Sequence, residues 1–264
     1  MSVTCKSSPK VLVPLDEMVA ESIAYLKEHE PPEGYFVGFS GGKDSIVALE
    51  LCRMAEVKHL AFYSATGIDP PEVVRFIKDH YPEIFFLKPP MTFWQGIRKK
   101  SPPLRMRRWC CSTLKREPAK PKIIEALVGN PLIHRVMGIR AEESYRRASR
   151  PRTVKMTGSR IWMYKPIFNW QEWHVWDFIE ERGLAYPSLY DEGFDRIGCI
   201  ICPFFMNKNQ TKLNRHKAMW PATYRIFEKV VTDWFLNHKS YRGKQFAEQT
   251  PEQYLAAYYR GFQS

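Results

Sequence analysis

Apolar residues at Leu15, Met18, Val19, Ile23 and Leu26 follow helical spacing, with Asp16 and Glu17 in the first turn, so the pattern predicts an amphipathic helix over 15–27. Glu30-Pro31-Pro32-Glu33-Gly34 breaks it. Short apolar runs then recur at 35–39, 59–63, 83–87 and 134–139, each with the length and flanks of a buried strand. Helical patterns lie between them: Ile46-Val47-Ala48-Leu49-Glu50-Leu51, a segment starting at Val73, Val74 and Ile77, and a segment over about 118–127. A further helix is expected at about 172–182, with Trp173, Val175, Trp176 and Ile179 on its buried face and Gly183 ending it. The alternation predicts an α/β fold with a doubly wound, mainly parallel sheet. Residues 1–13 are a weakly patterned lead-in. The stretch 205–264 reads as a helical, basic, aromatic extension, most amphipathic over 223–235, so the chain divides into a domain over 1–204 and an extension over 205–264.

The first strand runs into Ser40-Gly41-Gly42-Lys43-Asp44-Ser45 and then directly into a helix. Strand, glycine turn and helix N-terminus in that order make an anion site, because unpaired backbone N–H groups and the positive end of the helix dipole converge. Ser40 and Ser45 add hydroxyls, Lys43 adds a point charge, and Gly41 and Gly42 let the backbone approach a phosphate. A Walker A loop needs a glycine and a Ser or Thr where Val37 and Asp44 stand. Asp44 and Ser45 can also serve simply as helix caps.

Composition adds a partner and a compartment. The 264 residues carry a formal net charge of +12, which favours a polyanionic partner or a phosphorylated substrate over an acidic one. Basic stretches over 98–108 and 140–160, interleaved with Trp109, Tyr145, Trp162 and Tyr164, suit a nucleic-acid backbone with base stacking, and equally a doubly phosphorylated nucleotide. No run of about 18 apolar residues is present and no signal-peptide pattern opens the chain, so a cytoplasmic protein without a membrane partner is expected.

Six cysteines in such a chain point to metal or redox chemistry. Cys110-Cys111 and Cys199-x-x-Cys202 form two close pairs that only folding can unite. Four thiolates can bind zinc or an iron–sulfur cluster, and unrelated buried thiols are the bland alternative. Cys52 has a core position; Cys5 has no local partner.

The string Ser40 to Ser45 matches the SGGKDS signature of the PP-loop superfamily. Arg108-Trp109-Cys110-Cys111 with Leu114-Lys115, Gly138-Ile139-Arg140 with Glu143-Ser144 and Arg147, and Gly198-Cys199 extend the likeness over most of 35–204. In these elements the chain resembles the phosphoadenylylsulfate (PAPS) reductase family in its broad sense, which includes ATP-pyrophosphatase subunits of DNA phosphorothioation systems. That resemblance implies an adenine nucleotide held by Ser40, Gly41, Gly42, Lys43, Asp44, Ser45, Thr66, Gly67 and Gly138, with Thr66-Gly67 and Pro71-Glu72 framing the adenosine. It implies a 4Fe-4S cluster on Cys110, Cys111, Cys199 and Cys202, with zinc as the alternative. Reductases of the family attack with a cysteine in a Glu-Cys-Gly-(Leu/Ile)-His tail, whereas here no cysteine follows Cys202 and the sequence closes Tyr258 to Ser264.

The expectation is therefore an ATP pyrophosphatase using magnesium, in which Lys43 and Asp44 serve the loop and Arg140 or Arg147 neutralises charge at phosphorus. It would adenylate a nucleic acid for sulfur transfer, DNA phosphorothioation ahead of tRNA thiolation, with a cysteine desulfurase as sulfur source. The alternatives are a PAPS or adenylylsulfate (APS) reductase with a non-standard nucleophile, and a non-catalytic nucleotide-binding subunit.

Overall fold

A computed structural model describes residues 13–206, 210–238 and 249–261. Cys5 and the closing residues 262–264 lie outside them, as does most of the predicted lead-in over 1–13 and part of the predicted helical stretch beyond residue 205. In chain order the helices and strands are α1 (Leu15–Glu28), β1 (Tyr35–Phe39), α2 (Lys43–Met54), β2 (His59–Ser64), α3 (Pro71–His80), β3 (Phe85–Leu87), α4 (Phe93–Lys99), α5 (Pro121–Val128), β4 (His134–Met137), α6 (Tyr145–Ala148), β5 (Thr153–Lys155), β6 (Trp162–Tyr164), α7 (Glu172–Glu181), α8 (Pro203–Met206), α9 (Gln210–Met219), α10 (Pro221–Asn237) and α11 (Pro251–Arg260).

The strands form a six-stranded sheet of order β3-β2-β1-β4-β6-β5. β1 runs parallel to β4, β4 parallel to β6, and β2 parallel to β3, while β5 is antiparallel to β6. This is the α/β architecture expected, with two strands the hydrophobic pattern does not announce. β5 and β6 have three residues each, too short for an alternating signature, and β5 is basic. The basic stretch over 140–160 thus contains the strand that forms the antiparallel edge.

Two compact units are present. The first comprises residues 1–38, 43–60 and 133–185. Its core gathers Leu26, Tyr35, Val37, Leu49, Val136 and Trp170, all buried. The Trp170 indole donates to Ser22 Oγ at 3.0 Å, and Ser22 donates to the Pro166 carbonyl at 2.9 Å, so the buried polar atoms are satisfied. On α7 the buried residues are His174, Val175, Phe178 and Ile179; Trp173 and Trp176 are only half-buried. The reason is polar. His174 Nδ1 accepts from the Gln171 N–H at 2.9 Å and its Nε2 meets the Val13 carbonyl at 3.0 Å, so this His goes inward with its ring satisfied.

The second unit comprises 39–42, 61–132 and 186–264. Here α10 buries Tyr224, Phe227, Val230, Val231, Trp234 and Phe235 and packs on α4 and α11. The compact units thus divide the chain differently from the linear split into 1–204 and 205–264: the described C-terminal helices share a unit with 61–132. Among the described residues no helix is long and apolar enough to cross a membrane.

Candidate nucleotide loop and thiol cluster

Within the first unit, α2 begins at Lys43, whose side chain is almost fully enclosed. Its ammonium lies 3.1 Å from Glu172 Oε1, 4.0 Å from Asp44 Oδ2 and 5.8 Å from the centre of the Trp176 ring. Arg140, buried just after β4, donates from Nε to Asp44 Oδ1 at 2.6 Å and from Nη1 to Glu142. Burial opposes the charge on Arg140, but Asp44, Glu142 and Glu172 outweigh it and its pKa is raised. Gly138 is where the backbones close in: a Cβ there would stand 2.2 Å from the Asp44 carbonyl oxygen. Arg147 pairs with Glu143, whose Oε1 also accepts from the Arg140 N–H at 3.3 Å. The sequence-predicted Lys43, Asp44, Gly138 and Arg140 are therefore joined in one network, and Arg147 is tied to Glu143 beside it. Glu172 and Trp176 were missed, because a helix N-terminal Glu and a helical Trp carry no marker of the loop lysine they meet.

Within the second unit, the turn Ser40-Gly41-Gly42 has Gly41 at φ 72°, where a Cβ would lie 2.8 Å from Val73 Cγ1. Gly42 faces Tyr190: a Cβ on Gly42 would lie 3.3 Å from the Tyr190 hydroxyl. Ser40 Oγ accepts from the Gly42 N–H at 3.4 Å. Ser45 is buried in the first turns of α2.

All four predicted thiols also lie in this unit. Cys111 starts a π-helical turn, Cys111–Arg116, that sequence periodicity does not register. Cys110 hydrogen-bonds the Cys111 sulfur, which favours the Cys111 thiolate; Lys115, Arg108 and Arg116 add to that, lowering its pKa to about 6. The same bond, burial and the charges of Cys111, Cys199 and Cys202 push Cys110 up, which places both pairs within electrostatic reach of one another. Burial pushes Cys199 up to about 11 against the pull of Lys115.

Cys199 Sγ lies 3.7 Å from Thr66 Oγ1 and 3.7 Å from Asp69 Oδ1, and Asp69 Oδ2 accepts from the Thr66 N–H at 2.7 Å. Thr66, expected to frame adenosine, is buried and has its hydroxyl beside the Cys199 sulfur. Gly67, at φ 75°, has open space beside it and lines a cleft of about 580 Å³ together with Asp69, Arg75 and Phe86. Among the described residues, no three His, Cys, Asp or Glu side chains are arranged to hold a single metal ion. The described cysteines are free thiols, and Cys52 is buried in α2 as a core residue.

The aromatics expected among the basic stretches divide into two kinds. Trp109 is packed inward: a Cβ on Gly96 would meet its ring at 2.0 Å, it stacks on Phe93, and its Nε1 donates to the Ser101 carbonyl at 2.9 Å. Tyr164 is buried and Trp162 stacks on His134. Tyr145 is 90% exposed. Phe204, which sequence reading passed over, is also exposed.

Residues 34–204 match the phosphoadenosine phosphosulfate reductase domain model, and the chain belongs to that family. It is 31% identical over 231 residues to an uncharacterized protein of Methanocaldococcus jannaschii, covering 85% of this chain and 47% of that protein. It is 26% identical over 174 residues to an adenosine 5'-phosphosulfate reductase of Staphylococcus haemolyticus, covering 62% of this chain and 68% of that one. The chain spans about half the length of the M. jannaschii relatives it matches. A Candida auris PAPS reductase crystallised as a phosphate complex superposes with a TM-score of 0.53 at 19% identity, covering 70% of this chain and 93% of that one. A Candida glabrata FMN adenylyltransferase gives 0.51 at 12% identity, covering 72% and 67%. Both likenesses concern the fold.

Proposed function

We propose that the chain splits ATP between its α- and β-phosphates, transfers the adenylyl group to a nucleic-acid acceptor and so prepares that acceptor for sulfur. The observation that carries this reading is the charge balance at the loop lysine. Lys43 and Arg140 face Asp44, Glu142 and Glu172, so three carboxylates meet two cations. A bare sulfonucleotide gains little from such a site, whereas a polyphosphate entering as its magnesium complex brings the missing positive charge. Magnesium is commonly held by one or two carboxylates plus substrate phosphates, and Asp44 and Glu172, the carboxylates beside Lys43, would contribute. When bound, the ion neutralises charge on the phosphate oxygens.

This chain's own residues then do the following. The backbone N–H groups of Ser40 to Gly42 and the Lys43 ammonium hold the departing pyrophosphate. Arg140, fixed by Asp44 and Glu142, supplies preorganised positive charge toward the α-phosphate. Cys110, Cys111, Cys199 and Cys202 would hold an iron–sulfur cluster, with zinc as the alternative occupant, and a bound cluster would offer redox or sulfur chemistry there. Two pairs of free thiols within electrostatic reach, one of them favouring the thiolate, support that ligand set. The net charge of +12 supports a nucleic-acid acceptor, with DNA phosphorothioation ahead of tRNA thiolation and a cysteine desulfurase as sulfur source.

The test is pyrophosphate release from ATP by anaerobically purified protein with magnesium, with and without nucleic acid. Release that nucleic acid stimulates supports the reading. A second reading, sulfonucleotide reduction, is favoured by relatives named adenosine 5'-phosphosulfate reductase. Sulfite formed from a sulfonucleotide without pyrophosphate release from ATP would replace the first reading with the second.

A further inference from the structure

The strongest unassigned feature is a tongue of arginines over 105–108 in the second unit. It is anchored from below at two points. The Trp109 indole donates to the Ser101 carbonyl at 2.9 Å, and the buried Tyr258 hydroxyl donates to the Pro103 carbonyl at 2.6 Å. Between these anchors Met106 is 92% exposed, and Arg107 and Arg108 project to solvent.

The Arg108 guanidinium lies over the exposed Phe204 ring, 4.4 Å from its centre, and that of Arg105 lies 5.4 Å from the same centre. Elsewhere the arginines Arg140, Arg147 and Arg152 are each spent on a carboxylate. These two instead lie over an aromatic face, a pairing made through the guanidinium plane and not through its N–H donors, which a phosphate can engage. Their place in the chain gives the cluster a chemical address. Arg108 stands two residues before Cys110, and Phe204 two residues after Cys202.

We infer that Phe204, Arg105 and Arg108 form a clamp for an unpaired nucleotide of a single-stranded nucleic acid, stacking its base and holding its phosphate beside the four cysteines. Single strands are bound by this combination of aromatic platform and cationic rim. A duplex keeps its bases stacked inside and offers nothing to a lone exposed ring. The inference deepens the nucleic-acid reading above and rests on it, since it states which form of acceptor is engaged and where.

The experiment is fluorescence anisotropy of the full, anaerobically purified chain with a labelled oligothymidylate of about twelve nucleotides, against a duplex of similar length, in the absence of ATP. The wild type is expected to prefer the single strand. Phe204→Ala should weaken single-strand binding about tenfold with the salt dependence unchanged, while Phe204→Tyr should retain it. Arg108→Gln should weaken it and lower the salt slope by about one. Because Phe204 is exposed, the variants are expected to fold, and thermal melting checks that each does.

Equal affinity for duplex and single strand, or Phe204→Ala binding like the wild type, overturns the clamp. Competition by free AMP at the concentration of oligonucleotide nucleotides overturns it too, in favour of a mononucleotide site. Failure of the two readings is distinguishable: single-strand binding through Phe204 without pyrophosphate release keeps the clamp and removes the adenylating reading. Pyrophosphate release with no oligonucleotide binding does the reverse.

Discussion

The ammonium of Lys43 sits 3.1 Å from the carboxylate of Glu172, so the first residue of α7 holds the first residue of α2. The Glu172 side chain is 52% exposed and that of Lys43 is 4% exposed, which makes the lysine the enclosed partner and the glutamate the one able to turn away. A bound phosphate competes with Glu172 for the same ammonium. Glu172→Gln is therefore expected to tighten pyrophosphate binding in the absence of magnesium by about fivefold, measured by titration calorimetry. Unchanged or weaker binding would show that Glu172 does not compete with phosphate for Lys43.

Replacing Lys43 by Ala should cut pyrophosphate release about a hundredfold or more, while far-ultraviolet circular dichroism and the melting transition stay near the wild type. Glu172 regains water when its partner is removed, so the fold loses little. Turnover at the wild-type rate would exclude the loop from the chemistry.

Gly138→Ala tests the close approach of backbones. Its Cβ would fall 2.2 Å from the Asp44 carbonyl oxygen and 2.9 Å from the Ser45 nitrogen, atoms that cannot rotate aside. The start of α2 must shift, at a cost of about 3 kcal/mol, and both the melting temperature and pyrophosphate release should fall. A stable, active variant would mean that the loop tolerates displacement.

Cys199→Ser should lose bound iron and visible absorbance in protein prepared without oxygen, whereas Cys52→Ala should keep both, because Cys52 is a core thiol in α2. Colourless wild-type protein carrying one zinc would replace the cluster with the metal ion.

Stability should fall as the pH drops below about 6.5. Burial depresses the pKa of His134 and His216, so between the unfolded value and the folded ones the unfolded chain binds more protons, and stability rises with pH across that window. The two histidines are expected to lower the melting temperature on going from neutral to mildly acidic buffer. The double substitution to Gln should flatten that dependence, and an unaltered profile would assign it to other groups.

The parallel part of the sheet was legible because each buried strand is a short apolar run with turn residues on both sides, as at β1 and β4. The step from β1 through a tight turn into α2 was legible because two glycines between an apolar run and a helical pattern mark such a turn. What escaped has a common cause. Glu172 and Trp176 reach Lys43 from a helix well over a hundred positions downstream, and Asp69 and Thr66 reach Cys199 across a comparable gap. Periodicity reports which face of an element is buried, not which partner meets it. His174 adds a polar version of the same problem: its ring goes inward because the nearby Gln171 N–H and the distant Val13 carbonyl satisfy it, a fact invisible to a count of apolar positions.

The Tyr258 hydroxyl that ties down Pro103 comes 155 positions later in the chain. During synthesis the arginine tongue and the Cys110-Cys111 pair emerge long before the residue that braces them, and Cys199 and Cys202 emerge before it as well. The braced thiol region is thus a late product of translation, completed when α11 has left the ribosome and docked. A nascent chain stalled short of α11 would present Cys110 and Cys111 without the brace that Tyr258 supplies to the preceding segment.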